Sequence, residues 1–254
     1  MFIYFRNILY VMDVYQTMAE HYDIIYGDKS DLDFYVQEAK NARGPVLEVA
    51  CGTGRILLAL LSNGIDAQGI DLSEDMLEIL KAKAKTQNIV PNVMRADMVD
   101  FKLDQKFNLI IIPYRSFLHL LSESDRKAAL ENFRSHLNEG GRLILHIYNP
   151  SPEDLEMVDE YHHFDQEDFT EDGKHYVLDW FLKYEKLNRI ANYRITLISE
   201  GKESDFSMQL YFIKPKEMNE LLTKTGYKNI RDYCGFDYLP FDGECSEVVW
   251  VAER

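Results

Sequence analysis

Ten residues, Val46 to Arg55 (Val-Leu-Glu-Val-Ala-Cys-Gly-Thr-Gly-Arg), constrain this chain more than any other feature. A short apolar run, a Gly-x-Gly turn and the first residues of an apolar helix bring bare backbone against a ligand at a helix N-terminus. Two readings of the turn are open: a tight strand-to-helix connection, or the ligand-facing turn of a nucleotide-binding sheet. A dinucleotide fingerprint would want a third glycine at position 57 for close helix packing, and this chain has Leu57.

From residue 31 helical and strand patterns alternate, which implies a parallel sheet with helices on both faces. The expected elements begin with a helix over Asp31–Asn41, a strand over Val46–Ala50 and a helix over Arg55–Asn63 stopped by Gly64. A strand over Gln68–Asp71 follows. Ser73 then caps a helix over Glu74–Gln87, with Glu74 and Asp75 in the first turn where the helix dipole favours anions. Strands over Asn92–Arg95 and Phe107–Ile112 come next, the second apolar apart from Asn108 and so expected to be buried on both faces. Ser122 and Asp125 open a helix over Glu123–Leu137, which Gly140-Gly141 ends before a strand over Arg142–Tyr148. After Pro150 and Pro152 the pattern breaks. Residues 153–175 are strongly acidic, and residues 176–213 carry the β-branched and aromatic side chains of three or four antiparallel strands. A helix over Lys216–Thr225, started by Pro215 and stopped by Gly226, and a strand over Ser246–Glu253 close the chain. Residues 151–213 read as an insertion between the fifth strand and the last helix.

A chain of 254 residues, 46% apolar, suits one α/β domain with an insertion or a small lid. Its formal net charge is −15, from 28 Lys+Arg against 43 Asp+Glu. Nucleic-acid affinity rests on cationic patches that displace phosphate counterions, so this balance argues against DNA or bulk RNA. It disfavours acidic substrates and membranes for the same reason. Cys51, Cys234 and Cys245 are too few and too irregular for a disulfide framework or a zinc site, which fits a reducing cytoplasm. His162, His163 and His175 show no metal-ligand spacing, so no metal is expected. Met1–Val11 is apolar but broken by Arg6 and Asn7, too short to span a bilayer and without a signal-peptide cleavage site. Either Met12 is the true start or the segment packs on the domain as an extra helix or strand turn.

The ends of the next strands decide between the readings of the glycine turn. Asp71 closes the second strand, placed to accept hydrogen bonds from the two hydroxyls of a ribose. Asp97 follows the third strand in Arg95-Ala-Asp-Met98, where an adenine amino group would need an acceptor. Met76 and Met98 offer soft apolar contacts to the ring. Singly, each aspartate also reads as a surface carboxylate and each methionine as core. Three strand ends in this order are much harder to produce by chance.

At these motifs the chain resembles the class I S-adenosylmethionine (SAM) dependent methyltransferases: the E-x-A-C-G-T-G-R turn, G-I-D-L-S-E-D-M-L and R-A-D-M-x-D-F. The resemblance runs over residues 12–254. It extends to the small-molecule branch with sugar N,N-dimethyltransferases and glycine/sarcosine-type methyltransferases, whose Tyr-x-x-x-A-x-x-Tyr-Asp-x-x-Tyr opening is matched by Tyr15, Ala19, Tyr22, Asp23 and Tyr26. The resemblance implies a Rossmann-like, mostly parallel seven-stranded sheet with an inserted antiparallel β lid. The corresponding divisions are a helical cap at residues 1–30, a SAM-binding core at 31–150, the lid at 151–213 and a return to the core at 214–254. It also implies that Glu48, Ala50, Gly52 and Gly54 line the methionine portion, Asp71 and Leu72 the ribose, and Asp97 and Met98 the adenine. Pro113 and Tyr114 would face the sulfonium end, Tyr15 and Tyr26 would close over the cofactor, and Arg55 is a candidate for its carboxylate.

Methyl transfer from a sulfonium is an in-line displacement, so the protein's task is alignment and exclusion of water. A base is needed where the acceptor is an ammonium, and His119 in Tyr114-Arg-Ser-Phe-Leu-His119 is the first candidate, because its ordinary pKa lies near neutrality. The same histidine also reads as one that merely packs. Arg115 either meets an acidic group on the acceptor or, slightly preferred, pairs with a neighbouring carboxylate. Tyr26 completes the catalytic candidates. Residues 153–180 hold eleven acidic residues and only Lys174 as a base, a solvated face or a field that concentrates a cationic amine. The expected activity is methyl transfer to a small molecule, nitrogen preferred over oxygen. The alternatives are a protein or tRNA methyltransferase, a nicotinamide-dependent oxidoreductase, and a SAM-binding protein without turnover.

Overall fold

The computed structural model describes Tyr15, residues 18–27 and residues 30–254. The readings of residues 1–11 and of Met12 lie outside the described residues. In chain order the α-helices are α1 (Tyr22–Ile25), α2 (Leu32–Ala42), α3 (Arg55–Ser62), α4 (Glu74–Thr86), α5 (Glu123–His136) and α6 (Pro215–Lys224). Strands β1 (Val46–Val49), β2 (Ala67–Asp71), β3 (Asn92–Arg95), β4 (Phe107–Ile112) and β5 (Leu137–Tyr148) belong to the central sheet. Strands β6 (His162–Glu171), β7 (Lys174–Glu185), β8 (Ile190–Ser199) and β9 (Lys202–Tyr211) form a separate four-stranded antiparallel sheet, the lid. The chain then returns to the central sheet with β10 (Lys228–Cys234), β11 (Leu239–Pro240) and β12 (Glu247–Glu253).

The central order is β11-β10-β12-β5-β4-β1-β2-β3. Strands β3, β2, β1, β4 and β5 run parallel, and β12 pairs antiparallel with both β5 and β10. The six core strands placed from the sequence are present, β10 is the seventh that the resemblance implied without a position, and the eighth is the two-residue β11. Because side chains alternate across a strand, Leu47, Val49, Ile110 and Ile112 pack into one core while Val46, Leu109 and Ile111 pack into the other. All seven of these side chains are fully buried, as an apolar run between two helix layers requires.

The lid alternates in the same way. Leu178, Leu182, Ala191, Tyr193, Ile195, Leu197, Met208 and Leu210 face inward and join the same core as Ile110 and Ile112. The second half of the acidic run is β6, an edge strand whose exposed charges suit its place at the sheet edge. Its hydropathy does not alternate, which hid it in the sequence. Strand β5 also begins earlier than its glycines suggested. Phe107 pairs with Leu137 and Leu109 with Arg142, so residues 138–141 bulge from the ladder, with Gly140 at φ +71°.

The cysteine expectation is overturned. Cys234 and Cys245 are disulfide-bonded, with Cα atoms 5.7 Å apart. The antiparallel pairing of β10 with β12 sets Cys234 opposite Val248, so the chain returning through residues 235–246 brings Cys245 alongside it. Spacing along the sequence carries no trace of that proximity, and cysteine usage therefore ceases to argue for a reducing compartment. Among the described residues no helix is long and apolar enough to cross a membrane.

Candidate active site

The carboxyl ends of β1, β2 and β3 open onto one cavity of about 1020 Å³. The glycine turn forms its floor. Ala50, Gly52 and Gly54 all take left-handed backbone, at φ +58°, +52° and +87°. Gly54 is the N-terminal cap of α3, and a Cβ there would stand 2.6 Å from Leu80 Cγ of α4. Gly52 differs, since its Cβ would meet only Tyr22 Cε1 at 3.9 Å, leaving bare backbone toward the cavity. The close approach that a third glycine gives in dinucleotide sites is supplied from the strand side. Gly69 on β2 lies where a Cβ would come within 2.8 Å of Leu57 Cδ2 and 2.7 Å of Cys51 Sγ. Cys51 is a buried packing residue.

Asp71 ties the first two strand ends together. One carboxylate oxygen accepts from Gly52 N and the other from Ser73 N, each at 2.8 Å. Burial raises its pKa, opposed by the backbone N–H groups of Ser73, Gly52 and Leu72. A carboxylate has about four lone-pair sites, so acceptor capacity remains for a further donor such as a hydroxyl. Asp97 is held by Val99 N at 2.9 Å, and Met76 and Met98 complete this end of the wall. Asp71, Asp97 and Asp125 line the cavity with His119, and no lysine or arginine does so among the described residues.

The N-terminal cap closes the other side. Thr53 Oγ1 donates to Asp23 at 2.6 Å and Lys83 Nζ to the same carboxylate at 2.7 Å, pinning the Tyr22-Asp23 pair to the glycine turn. Tyr15 and Tyr22 line the cavity, and their rings pack 6.1 Å apart. Tyr15 Oη lies 2.6 Å from His119 Nε2. Burial lowers the His119 pKa to about 4, against the opposing effect of the Gln209 backbone. Burial also raises the Tyr15 phenol, followed by the charge of Asp71. Both side chains are therefore neutral at pH 7, a hydrogen-bonded phenol and imidazole on the cavity wall.

Of the residues named from the sequence, Tyr15, Ala50, Gly52, Asp71, Leu72, Met76, Asp97, Met98 and His119 line the cavity. Glu48, Gly54, Arg55, Pro113, Tyr114, Tyr26 and Arg115 are not on its wall. Glu48 is buried, and desolvation raises its carboxyl while Arg55 lowers it. Arg55 is committed to a two-point ion pair with Asp31, its second contact at 2.8 Å. Tyr26 packs on Tyr22 and Tyr114 with centroids 4.8 and 5.2 Å away, and reaches the lid through Met208 Sδ. Arg115 does what the sequence slightly favoured and pairs with a carboxylate, Glu247, which also accepts from or is bridged to His146 Nε2 at 2.5 Å. Tyr114 and Arg115 both have left-handed backbone, φ +50° and +66°, just after β4. The histidines of the lid have non-metal partners: His162 faces the Val158 carbonyl, His163 Asp179, and His175 Asp168.

The sequence reading missed Tyr22, the residues Leu120, Leu121, Ser122, Ser124 and Asp125, and the lid residues Asn188 and Ile190, all on the wall. Tyr22 was legible in the opening pattern. Ser122 and Asp125 signalled a helix start and nothing more, and the hairpin bearing Asn188 and Ile190 reaches the cavity only through the fold.

Residues 46–141 match the family described as "Methyltransferase domain". The chain is 31% identical over 136 residues to dTDP-3-amino-3,6-dideoxy-alpha-D-glucopyranose N,N-dimethyltransferase of Streptomyces fradiae, covering 50% of this chain and 52% of the relative. It is 35% identical over 124 residues to glycine/sarcosine N-methyltransferase of Halorhodospira halochloris, covering 46% of this chain and 45% of the relative. The aligned part spans about half the length of these curated relatives. Its fold matches a SAM-dependent methyltransferase from Clostridium acetobutylicum ATCC 824 with TM-score 0.77 at 20% identity, over 94% of this chain and 98% of the other. With the strand ends and the glycine turn, these similarities give residues 46–141 the sequence pattern of a methyltransferase domain and the chain the fold of the SAM-dependent methyltransferases.

Proposed function

We propose that this chain transfers a methyl group from SAM to the nitrogen of a small amine. The observation that carries the reading is the single cavity shared by the glycine turn, Asp71, Asp97 and the Tyr15–His119 pair. The spare lone pairs of Asp71 and the uncovered backbone at Gly52 fit a ribose and an amino-acid tail, and Asp97 with Met76 and Met98 fits an adenine. When bound, SAM supplies an activated methyl on a positively charged sulfur. The carboxylates on the wall suit that charge and a neutral or cationic acceptor. Nitrogen is favoured because the two relatives described above are named as N-methyltransferases.

Tyr15 and His119 orient the acceptor and take its proton. With its pKa pushed down to about 4, the imidazole stays neutral throughout the neutral range. Positioning contributes about 7–11 kcal/mol in well-aligned reactions, and general-base help about 10²–10⁴-fold. His119→Ala and His119→Gln are expected to lower turnover by about 10²-fold, read as S-adenosylhomocysteine release over a panel of amines, amino acids, aminosugars and phenols. Turnover in both variants within about twofold of wild type would remove His119 from the reaction. The acid limb set by His119 falls near pH 4, not near its ordinary 6.5. The same shift acts on stability. Between pH 6.5 and about 4 the unfolded chain binds a proton at this site and the folded chain does not, so stability falls as pH falls through that window.

A further inference from the structure

We propose that Cys234 and Cys245 form a reversible dithiol–disulfide site that controls how firmly the active-site loop after β4 is held. Both cysteines are half-buried and within reach of a small reductant, whereas Cys51 is buried. Their bond closes residues 235–244 into a loop at the sheet edge. The Asp242 carboxylate lies 3.4 Å from Cys234 Sγ and is fixed by the Glu244 and Cys245 backbone N–H groups at 2.9 and 3.1 Å. It offers the reduced Cys234 thiol a ready acceptor.

Both ends of the bridged loop bear on the group that holds Arg115. At one end Phe236 packs edge-on against His146 at 4.9 Å, and Gly235 N donates to the Glu247 carbonyl at 2.8 Å. At the other end the carbonyls of Cys245 and Ser246 accept from Asn149 at 3.0 and 2.6 Å, immediately before Glu247 enters β12. Glu247 grips both Arg115 and His146. Arg115 and Tyr114 sit in left-handed backbone that the surroundings must enforce, and the next residues include Ser116 and His119 on the cavity wall. Opening the bridge frees the loop, loosens Glu247 and lets that turn relax.

The exchange balances with an external dithiol. One of its thiolates attacks a cysteine sulfur and expels the other as thiolate. Its second thiol then displaces the first cysteine, leaving two cysteine thiols and the reductant's own disulfide.

The test compares full-length protein kept in air with the same protein equilibrated in dithiothreitol. Alkylation after denaturation is expected to label one cysteine, Cys51, in the first sample and all three in the second. Reduction should lower Tm by about 5–10 °C. It should also weaken S-adenosylhomocysteine binding by about fivefold. The Cys234→Ser/Cys245→Ser double variant should match the reduced protein and ignore the reductant, and Glu247→Gln should abolish the redox dependence of affinity. Three labelled cysteines in the air-kept protein would overturn the proposal. So would a bridge whose reduction leaves affinity unchanged.

Discussion

Asp71→Ala should weaken S-adenosylhomocysteine binding by roughly 10–100-fold, the equivalent of about 1.5–3 kcal/mol for hydrogen bonds to a charged acceptor. The side chain has two duties. It holds the Gly52 and Ser73 backbone N–H groups at 2.8 Å, which fixes the glycine turn against the start of α4, and under the proposed function it also accepts from the ribose. Alanine abandons both. Asp71→Asn separates them only in part, because its amide nitrogen would face one of the two backbone donors. It is therefore expected to fall nearly as far as alanine. Titration calorimetry on both variants checks this, and wild-type affinity in either would take Asp71 out of the nucleoside site.

Gly54→Ala should be the most damaging single change to stability in the core motif. Its backbone stands at φ +87°, where a side chain costs about 1–3 kcal/mol, and the new Cβ would lie 2.6 Å from Leu80 Cγ, adding a comparable overpacking cost. For a chain of this size the sum corresponds to a Tm lower by about 10 °C. Gly52→Ala is the informative contrast. It shares the left-handed backbone but would meet only Tyr22 Cε1 at 3.9 Å, so its thermal loss should be smaller while its effect on cofactor binding should be larger. Equal Tm losses in the two variants would mean that the packing of α3 on α4 does not depend on Gly54.

Much of this was legible because the informative segments are local. The strand Val46–Val49, the turn and the helix Arg55–Ser62 are adjacent in sequence, and strand ends such as Asp71 and Asp97 fall at fixed places in an alternating α/β chain. The burial of Leu109–Ile112 on both faces followed from their unbroken apolar run. What stayed hidden was made by contacts between distant segments. Arg55 looked available to a ligand until α2 brought Asp31 to it, across 24 residues. Glu247 meets Arg115 only because β12 inserts beside β5, and no periodicity announces that pairing. The hydrogen bond between Tyr15 and His119 spans 104 residues and joins two side chains that the sequence placed on the same site for separate reasons. Strand β6 and the disulfide were missed for opposite causes, one lacking the alternation of a strand, the other lying in a fold-dependent turn.

The central claim is that three successive strand ends make one site for a nucleoside bearing a charged sulfur. Titration calorimetry of the purified protein with SAM, S-adenosylhomocysteine and NAD tests it without knowledge of the acceptor. Saturable one-to-one binding of the first two, with no heat from NAD, is the predicted result. Silence toward both SAM and its demethylated product at millimolar concentration would contradict it.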